Sequence, residues 1–82
     1  MKVNYIGRKD LNFNTKDGSH IEGLRLYVVY DDEHVEGQVA EQMFCNISRA
    51  EYKALKEADL PCVLDVAFNR YGKADSFTVV KK

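Results

Sequence analysis

Two short stretches of the 82-residue sequence place cations beside aromatic rings. In "FNRYGK", Arg70 and Lys73 flank Tyr71, and in "GLRLYVVY" Arg25 lies two residues before Tyr27. An exposed aromatic ring can stack on a nucleobase of any kind, while a nearby cation neutralises a phosphate. These residue types at this spacing therefore predict contact with a ligand that is both flat and negatively charged.

The elements that must position these side chains follow from apolar periodicity. Alternation of apolar and polar residues predicts β-strands, and a helical spacing between the third and fourth strand predicts one helix. Ser48 is the expected N-cap of that helix, Glu51 completes a capping box, and Leu60-Pro61 ends it. The predicted strands cover residues 2–13, 20–30, 38–47, 62–70 and 74–80, and the helix covers residues 48–59.

The order β-β-β-α-β-β predicts an all-β fold with one helix, in a single domain that spans residues 1–82. An antiparallel sheet of five strands tends to curl and close, because bare edges invite aggregation. We therefore expect a five-stranded antiparallel OB-like barrel, in which Gly7 lets the first strand bend through a bulge. An open α+β sheet with the helix on one face is the alternative.

The same alternation predicts which side of the sheet each ring occupies. Tyr27 and Phe44 fall on the outer side of the second and third strands, and Phe68 points inward to anchor the last hairpin. The predicted base-stacking residues are Tyr27, Phe44 and Tyr71, and the predicted phosphate-binding residues are Arg8, Lys16, Arg25, Arg70 and Lys73. Cross-strand packing or a subunit contact is the alternative role for the rings.

The net charge gives no support for a general attraction to nucleic acid. Twelve Lys and Arg residues face 13 Asp and Glu residues, so the formal net charge is -1. Binding of an anion must then come from how the charges are distributed. The acidic turn "DDEHVEG" would concentrate negative charge at one place and leave the opposite face positive.

Signals for catalysis, metals and cofactors are weak in this sequence. His20 and His34 lie at predicted turns without the partners of a catalytic base, and the chain lacks a phosphate-binding glycine loop. Cys45 and Cys62 stand 17 residues apart in apolar runs, which predicts buried free thiols rather than a zinc site. We expect neither an enzyme nor a metal or cofactor site. The lack of a membrane-length apolar run and of a signal peptide predicts a cytoplasmic protein.

Three stretches resemble the small helix-destabilising, single-stranded-DNA-binding proteins of filamentous bacteriophages, or a relative of them carried by a plasmid or phage. "FNTKDG" resembles the first hairpin turn of that family, with Lys16 in place of a DNA-contacting cation. "GLRLYVVY" resembles the second strand, with Tyr27 matching a base-stacking tyrosine, and "FNRYGKADSFTVV" resembles the final hairpin, with Tyr71 at its tip. The resemblance implies an OB fold and cooperative DNA binding as a symmetric homodimer.

The sequence thus predicts binding of single-stranded DNA with little sequence preference, in the replication or transfer of a phage or plasmid. Single-stranded RNA is the alternative nucleic acid. A protein-interaction module that uses the same aromatic face is the alternative function.

Overall fold

The computed structural model describes residues 1–80 and contains five β-strands and one short helix. The predicted five-stranded antiparallel sheet with a single helix is confirmed. In chain order the elements are β1 Lys2–Asn14, β2 His20–Asp31, β3 Gln38–Asn46, α1 Tyr52–Glu57, β4 Cys62–Phe68 and β5 Ala74–Val80.

The sheet has the order β3-β2-β1-β4-β5, and every neighbouring pair of strands is antiparallel. β3 and β5 are therefore the two edges. Within residues 1–80 no ladder joins them, so the sheet is not closed. Central strand β1 is long enough to serve both halves: its first residues pair with β4 and its later residues pair with β2.

A bulge in β1 sets which side chains face the core. The register shifts between Tyr5 and Gly7, as the glycine in this strand predicts, and Ile6 is the extra residue. Before the bulge Val3 and Tyr5 are buried. After it the alternation changes phase, because one extra residue moves every later side chain to the opposite side.

Apolar side chains fill one side of the sheet. Leu55 of α1 is fully buried against them, and the Tyr5 hydroxyl donates a hydrogen bond of 3.0 Å to the Leu55 carbonyl. Burial raises the pKa of this hydroxyl, chiefly by desolvation. The strand residues of the core are Val3, Tyr5, Leu24, Leu26, Val28, Met43, Cys45, Leu64, Val66 and Phe77.

The two cysteines are free thiols, as predicted. Cys45 is buried, whereas Cys62 is only partly buried at the start of β4. Desolvation raises the pKa of both thiols, so both favour the protonated, unreactive form.

The helix is shorter than the sequence predicts, and the predicted capping box is wrong. α1 has six residues and begins after Glu51, which makes no side-chain cap hydrogen bond. The backbone N–H and the hydroxyl of Ser48 instead donate to Asn46 Oδ1, at 2.9 and 2.8 Å. Arg49 pairs with Glu51 at 2.8 Å. These local bonds hold residues 48–51 in a turn, so the helix starts one turn later.

The prediction that Phe68 points inward is also wrong. The β4–β5 register shifts between Ala67 and Phe68, and 43% of Phe68 is exposed. The irregularity breaks the alternation that buries Leu64 and Val66, so Phe68 is turned out at the end of β4.

Candidate nucleic-acid interface

Strands β1, β2 and β3 present a continuous surface on the side away from the core, here called the outer face. Its residues follow from the register, because directly paired residues point to the same side of a sheet. Gly7, Tyr27 and Gln42 form one row across the three strands, and Lys9, Arg25 and Phe44 form the next. The remaining residues of the outer face are Lys2, Asn4, Leu11, Phe13, Ile21, Gly23, Val29, Asp31, Gln38, Ala40 and Asn46.

Two rings on the outer face, those of Tyr27 and Phe44, each lie beside a glycine of the adjacent strand. A Cβ atom added to Gly7 would lie 3.6 Å from Cδ2 of Tyr27. One added to Gly23 would lie 3.0 Å from Cε2 of Phe44 and would overlap the carbonyl oxygen of Cys45. Because glycine has no side chain, each ring lies directly against the backbone of the adjacent strand. This contact restricts the motion of both rings before any ligand binds.

An apolar groove of about 440 Å³ opens on the outer face beside Phe44. Phe13 is 47% exposed and Phe44 is 43% exposed, so both rings remain available to a ligand. Leu11 and Ile21 add further apolar walls, and the side chains of Arg25 and Gln42 supply the polar groups. Apolar walls with a few polar groups suit a flat heterocycle with hydrogen-bonding edges.

The part of the outer face around the rings carries positive charge without compensating negative charge. Lys9 and Arg25 lie there, whereas the carboxylate of this face, that of Asp31, lies at the far end of the β2–β3 hairpin. The carboxylate of Asp10, next to Lys9, points to the other side and pairs with Lys56 at 2.5 Å. In a chain with net charge -1, this distribution leaves a local surplus of cations where the rings are.

Lys16 lies in the turn between β1 and β2, at the groove end of the outer face. Hydrogen bonds shape this turn: Ser19 N–H donates to Asp17 Oδ1 at 3.0 Å, and the Thr15 hydroxyl donates to the same oxygen. Those bonds, the one from Thr15 first, lower the pKa of Asp17. Gly18 has a φ of +90°, which favours glycine. Lys16 itself is exposed.

The turn between β4 and β5 presents Tyr71 to solvent. Asn69 Oδ1 accepts from the N–H groups of Tyr71 and Lys73, at 2.9 and 3.1 Å, and this side chain orders the turn. Tyr71 is 72% exposed. The Arg70 guanidinium carbon lies 5.0 Å from the centroid of the Tyr71 ring, in cation–π range.

Arg49 brings the start of β5 to the segment that follows β3. Its Nη2 donates to the Asp75 carbonyl, and its guanidinium carbon lies 5.9 Å from the centroid of Phe77. Glu51 holds the guanidinium by a hydrogen bond that raises the pKa of Arg49 and lowers its own. The β4–β5 turn thus stands near the end of β3 that lies beside the groove.

The structure brings together three of the predicted site residues and separates one. Arg25, Tyr27 and Phe44 share the outer face, and the predicted residues Lys16, Arg70, Tyr71 and Lys73 occupy the two turns. Arg8 lies on the opposite side of β1, where its Nη1 donates to the carbonyls of Ala58 at 2.7 Å and Leu55 at 3.4 Å. Arg8 therefore stabilises the end of α1 instead of facing a ligand.

The sequence prediction of the site omitted Lys9, Phe13 and Gln42. Part of the signal for the first two was present, because a bulge near Gly7 reverses the alternation of the rest of β1, although alternation alone does not show which residue is the extra one. With the alternation reversed, Lys9 points to the outer face in place of Arg8, and Phe13 points outward as well.

The acidic turn lies at the far end of the β2–β3 hairpin. Asp31 pairs with Gln38 at the end of that ladder, whereas the groove lies near the Gly23 end. Asp32, Glu33 and Glu36 follow in the turn itself. The hairpin thus separates a negative end from the aromatic and cationic part of the outer face.

Comparisons with protein-family models, curated proteins and solved structures gave no match. Among residues 1–80, no three His, Cys, Asp or Glu side chains cluster closely enough to hold a metal ion. The described part of the chain also has no helix of the length and apolar character needed to cross a bilayer.

Proposed function

We propose that the protein binds single-stranded nucleic acid on the outer face, with DNA as the ligand. The observation that carries the proposal is the composition of this face: exposed rings lie beside the opposed cations Lys9 and Arg25, and the carboxylate of Asp31 is at the far end of the hairpin, in a chain with net charge -1. A duplex hides the faces of its bases, so rings that offer stacking surfaces favour an unpaired strand.

In this proposal the rings and the cations have separate tasks. Tyr27, Phe44 and Tyr71 stack on bases, and each stacking contact contributes about 1–3 kcal/mol with little sequence preference. Phe13 adds a further stacking surface at the groove. The phosphate-binding residues are Lys9, Lys16, Arg25, Arg70 and Lys73.

The proposed architecture is an OB-like barrel opened between β3 and β5. It is supported by the order β3-β2-β1-β4-β5, which would become circular if the two edges met. Arg49 already spans the gap with its hydrogen bond to Asp75. In OB folds the face of strands 2 and 3 and the 1–2 and 4–5 loops bind oligonucleotides, and here these regions hold the proposed site.

The resemblance to the filamentous-phage proteins supports DNA over RNA, assembly as a homodimer, and a role in replication or transfer of a phage or plasmid in the cytoplasm. It rests on the stretches that contain Lys16, Tyr27 and Tyr71. The proposed chemistry needs no cofactor and no catalytic group.

A protein partner is the second candidate, and the apolar groove is the observation that favours it. Exposed Phe13 and Phe44 could receive an apolar side chain, and the unpaired edges β3 and β5 could accept a strand. Two adjacent cations without a carboxylate fit an anionic ligand better, so nucleic acid is the first candidate.

Titration with oligo(dT) tests the proposal, with intrinsic tyrosine fluorescence and the anisotropy of a labelled oligonucleotide as two readouts. We expect quenching at low salt and binding that weakens steeply as salt rises. In a Tyr27→Phe, Tyr71→Phe double variant, the rings still stack, so anisotropy should report binding while most of the quenching disappears. Absence of binding at low salt would reject the proposal and favour the protein partner.

A further inference from the structure

Two cations of the outer face oppose each other directly. Lys9 of β1 and Arg25 of β2 are register partners, and such partners have Cβ atoms about 4.5–5.5 Å apart. Like charges at directly opposed positions destabilise a sheet. The arrangement thus costs some folding stability, which an anion bound between the two side chains would offset.

Nothing within residues 1–80 neutralises this pair. The ion pairs of Lys and Arg side chains in this part of the chain involve Arg49 and Lys56, and neither Lys9 nor Arg25 forms a side-chain hydrogen bond. The neighbouring strand position on β3 is Phe44, which offers an aromatic edge and no charge. Lys9 is exposed and Arg25 is partly exposed, on the same side of the sheet as the rings.

We infer that Lys9 and Arg25 together hold one phosphate group of the bound strand. The inference rests on the proposed function and specifies how its site is used. The two side chains suit one anion, because guanidinium offers a fork of donors to two phosphate oxygens while ammonium acts as a compact charge beside them. A phosphate between them turns repulsion into two attractive contacts.

The position of the pair places that phosphate between two base sites. Along β2, Arg25 lies two residues from Tyr27 and two from Gly23, against which Phe44 packs. A strand rises about 3.3–3.4 Å per residue, so Tyr27 lies about 7 Å along β2 from the cation pair on one side and Gly23 about 7 Å on the other. Phe44 is the register partner of Arg25, and its ring extends toward Gly23. One base stacks on Tyr27, the next enters the groove at Phe44, and Lys9 and Arg25 hold the phosphate that joins them.

The salt dependence of oligo(dT) binding counts the phosphates and tests the inference. For single strands, each neutralised phosphate contributes about 0.7 to the slope of log K against log salt. We expect the Lys9→Gln, Arg25→Gln double variant to lower that slope by about 0.7 in total, because a single phosphate is lost. A decrease of about 1.4 would mean two separate phosphates, and no decrease would remove the pair from the site; both results overturn the inference.

Lys2→Gln is the matched control. Lys2 is an exposed lysine of the same strand, but its register partner on β4 is Asp65, a residue of opposite charge. Lys2→Gln should leave the salt slope of binding unchanged.

Without ligand, Lys9→Gln should raise Tm by roughly 1–5 °C, since it relieves the repulsion. A fall in Tm would reveal a stabilising partner for Lys9 and contradict the inference.

Two further measurements identify the source of the phosphate. An oligonucleotide with uncharged methylphosphonate linkages offers no phosphate charge, so the wild type and the double variant should bind it with the same salt slope, close to zero. Inorganic phosphate at constant ionic strength should leave Tm unchanged, because both base sites remain empty; a rise that the double variant abolishes would assign the pair to free phosphate. If the wild type binds no oligonucleotide, the proposed function and this inference both fail, whereas normal binding with an unchanged slope in the double variant rejects the inference alone.

Discussion

The molecule offers aromatic rings in two different settings. Tyr27 and Phe44 belong to the outer face, where each lies beside a glycine of the next strand. Tyr71 stands at the tip of the β4–β5 turn, 72% exposed, with Arg70 over its ring. The first two rings are held by the sheet, and the third is held by its own turn and one flexible neighbour.

This difference predicts unequal contributions to binding. A side chain that is ordered before the ligand arrives loses less conformational entropy on binding than one that must be immobilised. Immobilising a flexible side chain costs about 0.5–1.5 kcal/mol, a sizeable part of a stacking contact. We therefore expect the outer face to supply most of the affinity and the turn to add a smaller increment.

The largest expected effect comes from changing a glycine beneath a ring. Gly23→Ala should lower the free energy of unfolding by about 3 kcal/mol, because the new methyl group overlaps a backbone carbonyl and contacts Phe44. Gly7→Ala is the control, since its methyl group would meet Tyr27 at an ordinary 3.6 Å. Urea unfolding measures both. Equal effects would show that Gly23 is not in close contact with the Cys45 carbonyl and the Phe44 ring.

Phe44→Ala should cause the larger loss of affinity among the ring variants. We expect oligo(dT) binding to weaken by about 2 kcal/mol, because a pre-positioned stacking surface disappears. Phe44→Leu keeps the apolar volume without the aromatic face and should recover only part of the loss. Anisotropy measures the affinity, and circular dichroism checks the fold. Full recovery with leucine would indicate a general apolar contact, as expected for a protein partner.

Tyr71→Ala should weaken binding less, by about 1 kcal/mol, and should leave the unfolding free energy unchanged. The exposed ring contributes no buried area, and Asn69 orders the turn through the backbone. Tyr71→Phe is the control, because it keeps the ring. A loss equal to that of Phe44→Ala would contradict the ranking of the two settings.

Much of the fold followed from local patterns in the sequence. Alternation predicted the strands and the outward position of Tyr27 and Phe44, and Gly7 predicted the bulge of β1. The role of these rings remains a prediction. What local patterns did not reveal is the phase after the bulge, because alternation alone does not show which residue is the extra one. Arg8 was therefore predicted to bind phosphate, whereas Lys9 is the cation on the outer face after the bulge.

The missing first turn of the helix has a tertiary cause beside the local bonds of Ser48 and Arg49. A capping box is a local signal, and it was outweighed by Arg49, which bonds to the Asp75 carbonyl 26 residues away and to Glu51. The open gap between β3 and β5 is also a long-range property. Whether two edges of a curled sheet meet depends on the packing of all five strands, which no single segment encodes.

The smallest expected effect concerns pH and the contact that positions the Tyr71 turn. The hydrogen bond from Arg49 lowers the pKa of Glu51 below its ordinary 4.5, so this pair stabilises the fold above that pH. As pH falls through the lowered pKa, Glu51 binds a proton and the contribution is lost. Glu51→Gln should therefore lower stability slightly at pH 7 and flatten its decline below pH 4.5.

Denaturant unfolding of the wild type and Glu51→Gln between pH 7 and pH 3 measures that difference. Glu57→Gln is the control, an exposed carboxylate of α1 that takes part in none of the ion pairs described for residues 1–80.

Because Arg49 ties the segment after β3 to the start of β5, Glu51→Gln should also reduce the small contribution of Tyr71 to binding. The contribution of Phe44 should stay unchanged, since Gly23 and not Arg49 fixes that ring. Equal losses at both rings would show that the two settings are coupled.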